Sequence, residues 1–258
     1  MIRNAKPSDK SQVLKFCQNT FSWGDYVEHV WDYWLNEDLL FVYEKQFPVG
    51  ICHAFFSKNQ IWIEGIRVDS NFRKQKIASE LVSHVESIGQ KNNALFSFML
   101  IDVENSISLS MAKSLKYQLL EIWNFYSLEP KKNSNFDIIF AKSLDASLYP
   151  HYVKSWRWLP IDNTIVSELV QQNKIIQSQI NGEVSTAILS DSEHFDNTLI
   201  VTLFSGSEKT SLQIILFLQN YAIENNYNRI QILSTEKLFD LEFLDHKLSF
   251  HLLRKTLD

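Results

Sequence analysis

Three cations, Arg73, Lys74 and Lys76, lie between a segment typical of a strand and a segment typical of a helix. The first turn of a helix presents backbone N–H groups without partners, together with the positive end of the helix dipole. Such a place favours anions, and phosphate groups in particular. The cluster therefore predicts the binding site of a phosphate-bearing ligand. The alternative is a solvated basic turn before an ordinary helix.

The flanking segments must hold this loop in place. The residues from Ile61 to Val68 are mostly β-branched or aromatic, as in a strand, and the turn formers from Asp69 onward end it. After the loop, apolar side chains recur with helical spacing; they are Ile77, Leu81, Val82, Val85 and Ile88. The nearly continuous apolar run over 94–103 is typical of a strand buried on both faces. The spacing thus predicts a strand, the loop, a helix and a parallel strand.

The loop resembles the cofactor-binding motif of the GNAT family (Gcn5-related N-acetyltransferases). In that family the pattern Gln/Arg-x-x-Gly-x-Gly/Ala follows a strand that ends in hydrophobic-x-Val. The corresponding positions here are Ile66, Arg67 and Val68, followed by Arg73, Lys74, Gln75, Lys76, Ile77 and Ala78. Arg73 and Ala78 match the pattern, whereas Lys76 stands at the position of the glycine. Glycine adopts positive φ most readily, whereas Lys76 can hold the same backbone if its φ is negative, and its ammonium group adds charge.

The resemblance implies that acetyl-CoA is the cosubstrate and that backbone N–H groups of this loop surround its pyrophosphate. It also implies an α/β (α+β) fold in which a GNAT-like mixed twisted sheet is flanked by helices. In such folds the two parallel strands splay apart, and the pantetheine arm lies in the gap. A backbone N–H near Val68 would polarise the thioester carbonyl.

A second segment, from Glu104 to Tyr117, resembles another GNAT motif. The resemblance implies a cofactor contact for Asn105. Lys116 replaces the glycine of this motif, and Ala112 stands where many family members have a Tyr that protonates the departing thiolate. The role of that Tyr is therefore unfilled in this chain.

The family also implies a carboxylate on the strand before the loop that accepts the proton of the amine, often through water. Glu64 is the candidate for this catalytic role. Apolar residues flank it, so we expect burial to raise its pKa towards a useful range. In the alternative, Glu64 faces solvent or pairs with Arg67.

An aromatic, helical stretch over 23–35 would border the acceptor pocket in such a fold. Its acidic residues would suit a cationic amine, and its aromatic residues could hold one. The stripe is Trp23, Tyr26, Val27, Val30, Trp31 and Trp34, with Asp25, Glu28 and Asp32 on another face. The alternative is a core stripe beside a solvated charged face.

Composition limits the remaining classes of protein. The chain has 258 residues, a formal net charge of -5 and no long apolar run, which argues against a nucleic-acid partner and a membrane span. Cys17 and Cys52 have no metal-ligand spacing, and no histidine lies in a metal-site pattern. We therefore expect a soluble, cytoplasmic protein without a metal site, either a single chain or a homodimer.

The polar stretch over 131–135 suggests a boundary, which gives a GNAT-like, acetyl-CoA-binding domain over 1–132 and a smaller α/β domain over 133–258. The second half repeats the order hairpin, strand, helix and strand, with its hairpin turn at Asn181-Gly182. This order indicates a degenerate second GNAT-like copy in tandem. Its loop carries Glu208 where pyrophosphate would lie, so we expect no CoA there. The alternative is an unrelated small α/β domain.

Together these features predict an acetyl-CoA-dependent N-acetyltransferase that acts on a primary amine of a small molecule or a protein. The acceptor itself is not predicted. The alternative is a catalytically inactive module that binds CoA or serves as a scaffold, because Lys76, Ala112 and Lys116 depart from the family motifs.

Overall fold

The computed structural model describes residues 1–18, 20 and 24–257, so Trp23 of the aromatic stripe lies outside the described residues. The chain forms two compact units. The first comprises Met1–Leu120 together with Leu252–Asp258, and the second comprises Glu121–His251. The boundary expected between residues 132 and 133 is therefore displaced to Leu120 and Glu121. The reason is a strand, described below, that pairs within the second unit before the polar stretch is reached.

In the first unit the sheet follows the order β1-β2-β3-β4-β5; the pairs from β1 to β4 are antiparallel, and β4 and β5 are parallel. Its strands are β1 (Ile2–Asn4), β2 (Leu40–Glu44), β3 (Pro48–Ser57), β4 (Gln60–Val68) and β5 (Phe96–Asp102). Its helices are α1 (Lys10–Cys17), α2 (Val27–Asn36), α3 (Ile77–Lys91) and α4 (Ser106–Ser114). The predicted strand, loop, helix and parallel strand are thus β4, the loop before α3, α3 itself and β5.

Two apolar clusters lie against this sheet. One contains Ile61 and Ile63 of β4 with the buried side of α3, where Leu81, Val82 and Val85 have no exposed surface. The other contains the buried residues of α1 and α2 with residues of β2 and β3. Because side chains alternate along a strand, β4 presents Trp62 and Glu64 on the face opposite Ile61 and Ile63.

The C-terminal end of the chain completes the first unit. Leu253 and Leu257 belong to the cluster around α3, and the N–H of Leu257 donates to the carbonyl oxygen of Leu95 at 2.9 Å. Lys255 Nζ lies 2.6 Å from the Glu86 carboxylate of α3. A segment distant in sequence therefore contributes to the core that supports α3.

The second unit has a sheet in the order β6-β13-β12-β11-β10-β7, with β12 and β13 parallel, and a separate hairpin of β8 and β9. Its strands begin with β6 (Gln118–Leu128), β7 (Ile139–Phe140), β8 (His151–Lys154), β9 (Arg157–Pro160) and β10 (Ile175–Ile180). They continue with β11 (Glu183–Asp191), β12 (Thr198–Phe204), β13 (Arg229–Ser234) and β14 (Leu244–Thr256), whose last residues belong to the first unit. The helices are α5 (Asn163–Gln171) and α6 (Glu208–Glu224).

The order predicted for the second half is present. β10 and β11 form the hairpin, and Asn181 and Gly182 at its turn have φ of 53° and 87°. Both values lie in the left-handed region that a two-residue hairpin turn requires. β12, α6 and β13 follow as strand, helix and parallel strand. β6 pairs with β13 through Leu128↔Ile230 and Asn124↔Ser234, which places this part of β6 in the second unit.

Candidate active site

β4 and β5 separate part of the way along their length. Their parallel pairing runs from Gln60↔Phe96 to Ile63↔Met99 and goes no further, although both strands are fully described. β4 continues to Val68 and β5 to Asp102. The backbone of residues 64–68 therefore presents an edge without a strand partner on the β5 side. An extended ligand with amide groups can pair with such an edge as an added strand would.

A β-bulge lies at the start of this open edge. The register of β3 with β4 shifts between Ile51↔Arg67 and His53↔Glu64, so that Gly65 and Ile66 together face one residue of β3. Gly65 has φ of 65°, and a Cβ atom there would lie 2.3 Å from Cη2 of Trp34. Only glycine fits both the backbone and the space. Trp34 of α2 thus packs directly over the bulge.

In the loop between β4 and α3, Lys76 has the left-handed backbone conformation that glycine adopts readily. Asp69 Oδ1 accepts a hydrogen bond from Asn71 N at 2.9 Å and so holds the turn that follows β4. Further along, Lys74 and Lys76 have φ of 60° and 61°. Lys76 therefore does not meet the condition of a negative φ. Lysine accepts a left-handed conformation here at a cost of about 1 kcal/mol or more.

The first turn of α3 is open to an anion. Lys76 is the N-cap residue, and no side chain in the described part of the chain caps this helix with a hydrogen bond. Arg73, Lys74 and Lys76 are exposed around it, and Arg73 Nε donates to the carbonyl oxygen of Val68 at 3.3 Å. Gln75 is exposed and its Oε1 accepts from Lys45 Nζ at 2.7 Å. Free backbone N–H groups, a helix dipole and several cations fit a pyrophosphate at this position.

The other residues expected at the cofactor differ in how they can contribute. Ile77 is buried in the core beneath α3, and Ala78, Ile66 and Val68 are half-buried. The side chain of Arg67 is engaged elsewhere: its Nε lies 2.7 Å from Asp25 Oδ2. The second guanidinium contact of that pair, Nη2 to Asp25 Oδ1, is 3.1 Å. Arg67 can therefore serve a cofactor through its backbone alone.

The second motif forms α4 and its ends. Asn105 Oδ1 accepts from Ser108 N at 3.1 Å, which makes Asn105 the N-cap of this helix. At the other end, Lys116 has φ of 71°, and Tyr117 N donates to the carbonyl oxygen of Ala112 at 3.0 Å. This is the left-handed helix end that glycine usually provides. Ala112 is buried in the core, so its position offers no hydroxyl for proton transfer.

Glu64 lies in a polar cluster on the α2 side of the sheet. Its Oε1 is 2.9 Å from His53 Nδ1, and its Oε2 accepts from Trp62 Nε1 at 3.1 Å. The carboxylate is 13% exposed. Arg67, named as its partner in the alternative, forms an ion pair with Asp25. The buried charge is thus held by hydrogen-bond donors, as a buried carboxylate requires.

His53 is a functional candidate that the sequence analysis missed. Its side chain has no exposed surface and stacks on Trp34, with ring centroids 4.8 Å apart and an interplanar angle of 5°. Its Nε2 lies 3.1 Å from Glu37 Oε2, a close contact without the alignment of a hydrogen bond. The available signal was a histidine within the apolar strand sequence of β3.

The corresponding place in the second unit is closed. The N-cap of α6 is Ser207, whose hydroxyl accepts from Thr210 N at 3.4 Å. Ser185 Oγ of β11 lies 2.7 Å from Thr210 Oγ1 and accepts from Gly206 N at 2.9 Å. A Cβ atom on Gly206 would lie 2.1 Å from the carbonyl oxygen of Val184. The chain's own groups therefore fill the space before this helix.

The strands of the second unit also stay together. β12 pairs with β13 from Thr198↔Arg229 to Thr202↔Leu233, close to the ends of both strands. The carboxylate of Glu236 lies 2.9 Å from Ser234 Oγ near this end, and a negative charge there opposes an anion. Among the described residues, the splayed edge and the uncapped cationic helix start occur together in the first unit alone.

Comparison with known proteins agrees with this arrangement. Residues 11–117 match the model of the acetyltransferase (GNAT) family. A Thermoplasma acidophilum protein described as an acetyltransferase is 12% identical, with a TM-score of 0.68 over 99% of this chain and 99% of that chain. A GCN5-related N-acetyltransferase from Sphaerobacter thermophilus is 11% identical, with a TM-score of 0.66 over 100% and 95%. A tandem GNAT protein from the clavulanic acid biosynthesis pathway is 9% identical, with a TM-score of 0.57 over 100% and 98%.

At these identities the solved structures establish the fold alone, and the expected GNAT-like α/β fold is confirmed. No curated protein matches the chain significantly. Residues 11–117 are similar to the GNAT acetyltransferase family, and this family uses acetyl-CoA as its cosubstrate. Within residues 1–18, 20 and 24–257, no helix is long and apolar enough to cross a membrane.

Proposed function

We propose that the first unit is an acetyl-CoA-dependent N-acetyltransferase that acetylates a primary amine, with the open edge of β4 and the start of α3 as its cofactor site. One observation carries this proposal: the separation of β4 from β5 after Ile63 leads directly to an uncapped, cationic helix start. Acetyl-CoA, when bound, supplies the acetyl group as a thioester.

The residues of this chain would hold the cosubstrate by backbone and charge. N–H groups of the loop Arg73–Ala78 and the first turn of α3 would bind the pyrophosphate, with the cations of the loop around them. The free edge of residues 64–68 would pair with the pantetheine amides. A backbone N–H near Val68 would stabilise negative charge on the carbonyl oxygen during transfer.

Glu64 would accept the proton of the amine. An aliphatic amine is protonated at neutral pH, and attack on a carbonyl requires its lone pair. Glu64 lies on the same strand as the free edge, immediately before the bulge at Gly65. Glu64 lies on the face of the sheet that packs against α2, whereas α3 packs against the opposite face. The acceptor amine would therefore approach from the α2 face. Asp25, by contrast, is 3% exposed and paired with Arg67, which makes it a structural charge.

A second candidate function rests on Ala112. Because this buried residue offers no hydroxyl, a module that binds CoA without turnover is the alternative. An acid is not strictly required, since a thiolate leaving group can take its proton from solvent. We therefore favour the enzyme.

Turnover distinguishes the two functions. The test is release of CoA from acetyl-CoA, followed with a thiol reagent, in the presence of spermidine, lysine amide or a peptide with a free amino terminus. The wild-type protein is expected to acetylate at least one class of amine. Glu64→Gln should lower kcat by about 100-fold or more while leaving the Kd for acetyl-CoA within about twofold, because the loss is of a general base. Equal rates for the two proteins would contradict the role of Glu64.

A further inference from the structure

A line of three polar side chains leads from the proposed base to the surface. His53 Nδ1 lies 2.9 Å from Glu64 Oε1, and His53 Nε2 lies 3.1 Å from Glu37 Oε2. The exposed fractions of the side chains are 13% for Glu64, 0% for His53 and 28% for Glu37. His53 thus joins a nearly buried carboxylate to one that reaches solvent.

The imidazole has little freedom to move. It stacks almost parallel on Trp34, and its residue pairs with Leu40 of β2 on one side and Glu64 of β4 on the other. The bulge at Gly65 lets Trp34 approach, since any side chain at that position would collide with the indole. One aromatic residue therefore contacts both the bulge and the histidine.

The hydrogen bond from His53 determines which way Glu64 faces. A carboxylate bonded through one oxygen can rotate, whereas here Trp62 Nε1 donates to Oε2 and His53 Nδ1 meets Oε1. Each carboxylate oxygen has a further lone pair, so a carboxylate held in this way can still accept a proton. In the tautomer that carries its proton on Nδ1, this nitrogen donates to Oε1 of Glu64.

We propose that His53 is a positioning residue for the acetyl transfer: it fixes the Glu64 carboxylate through Nδ1, and the stacked indole of Trp34 holds the imidazole. This inference rests on the proposed function. In the step it serves, the ammonium group loses one proton, the Glu64 carboxylate gains it, and His53 keeps its own proton. The amine then has the lone pair that attacks the thioester.

Two substitutions of His53 distinguish the role of Nδ1 from that of Nε2. In His53→Asn the side-chain amide can place a donor near the position of Nδ1, facing Glu64, whereas in His53→Gln it can place one near the position of Nε2, facing Glu37. We expect His53→Gln to lower kcat at least tenfold while KM for acetyl-CoA stays unchanged. His53→Asn should retain most of the activity that His53→Gln loses. Equal losses in both variants, or a change in KM alone, would overturn the proposal.

A measurement on the folded wild-type protein covers the case in which a variant at this buried position fails to fold. The imidazole nitrogens of His53 are observed by 15N NMR, with Glu64→Gln and Glu37→Gln as comparisons. The expected result is a protonated Nδ1 whose resonance moves in Glu64→Gln. An unprotonated Nδ1, or a resonance insensitive to Glu64→Gln, would overturn the proposal.

The outcomes also separate this inference from the proposed function. If the wild-type protein acetylates none of the amines, the proposed function fails, and the nitrogen resonances still decide whether His53 holds Glu64. If the wild-type protein acetylates an amine and both His53 variants match its kcat, the proposed function stands and the positioning role fails.

Discussion

The loops before α3 and before α6 occupy the same place in the order strand, loop, helix and parallel strand. They differ in which groups form hydrogen bonds with the backbone at the start of the helix. Before α3, no described side chain caps the helix, and two lysines hold left-handed φ values. Before α6, Ser207 caps the helix and the hydroxyls of Ser185 and Thr210 fill the space. The first arrangement leaves hydrogen-bond donors for a ligand, and the second uses them within the chain.

The order of elements alone does not make a binding site. Both units have a parallel strand pair around a helix, yet only the pair in the first unit separates well before the strands end. A bulge at a glycine accompanies that separation. The cost of an uncapped helix and of strained lysines is expected where a ligand provides the missing contacts.

The largest effect is expected at the bulge. Gly65→Ala should lower the free energy of unfolding by about 3 kcal/mol or more and abolish acetyl-CoA binding, because φ is positive and Trp34 fills the space. The matched change Gly182→Ala, at the hairpin of the second unit, has open space around it and should cost about 1 kcal/mol. Urea unfolding and calorimetry measure both quantities. Equal destabilisation would show that the bulge is not a special position.

An intermediate effect is expected from charge reversal at the two helix starts. Arg73→Glu should weaken acetyl-CoA binding by about tenfold or more, since it places a negative charge beside the phosphates. Lys209→Glu makes the same change in charge at an exposed position in the first turn of α6 and should leave the affinity unchanged. Similar losses in both variants would remove the distinction between the two loops.

The smallest effect is expected at Lys76. Lys76→Gly should keep the affinity for acetyl-CoA within about threefold, because glycine adopts the observed φ of 61° without strain and preserves the backbone donors. Stability should change by less than about 1 kcal/mol, since relief of strain is offset by greater freedom of the unfolded chain. Lys116→Gly, with φ of 71° at the end of α4, is the control. A tenfold loss in Lys76→Gly alone would assign binding to the ammonium group.

Much of the local structure could be predicted from residue types. The helix over Glu208–Glu224, the hairpin turn at Asn181-Gly182 and the strand, loop and helix around Arg73 follow from periodicity and turn residues. Left-handed φ at Lys76 could not be predicted from lysine, whose intrinsic preference is the opposite. At Lys76 the surrounding strand and helix determine the backbone conformation.

Contacts between strands were harder to predict from the sequence. His53 and Glu64 meet because of the register of β3 with β4, and that register depends on a bulge that the sequence indicated only through a glycine within a strand. The pairing of Arg67 with Asp25 likewise depends on where the residues just before α2 lie. Leu253 and Leu257 pack in the cluster around α3. This contact could not be predicted from the local sequence, because it depends on the path of the whole chain.

We propose that the loop before α3 binds acetyl-CoA and that the loop before α6 does not. Calorimetric titration of the intact chain with acetyl-CoA, with CoA as the control, tests it most directly. We predict saturable binding of one molecule per chain, abolished by Gly65→Ala and unaffected by Lys209→Glu. Two molecules per chain would contradict the closed state of the α6 loop, and no binding would contradict the assignment of the α3 loop.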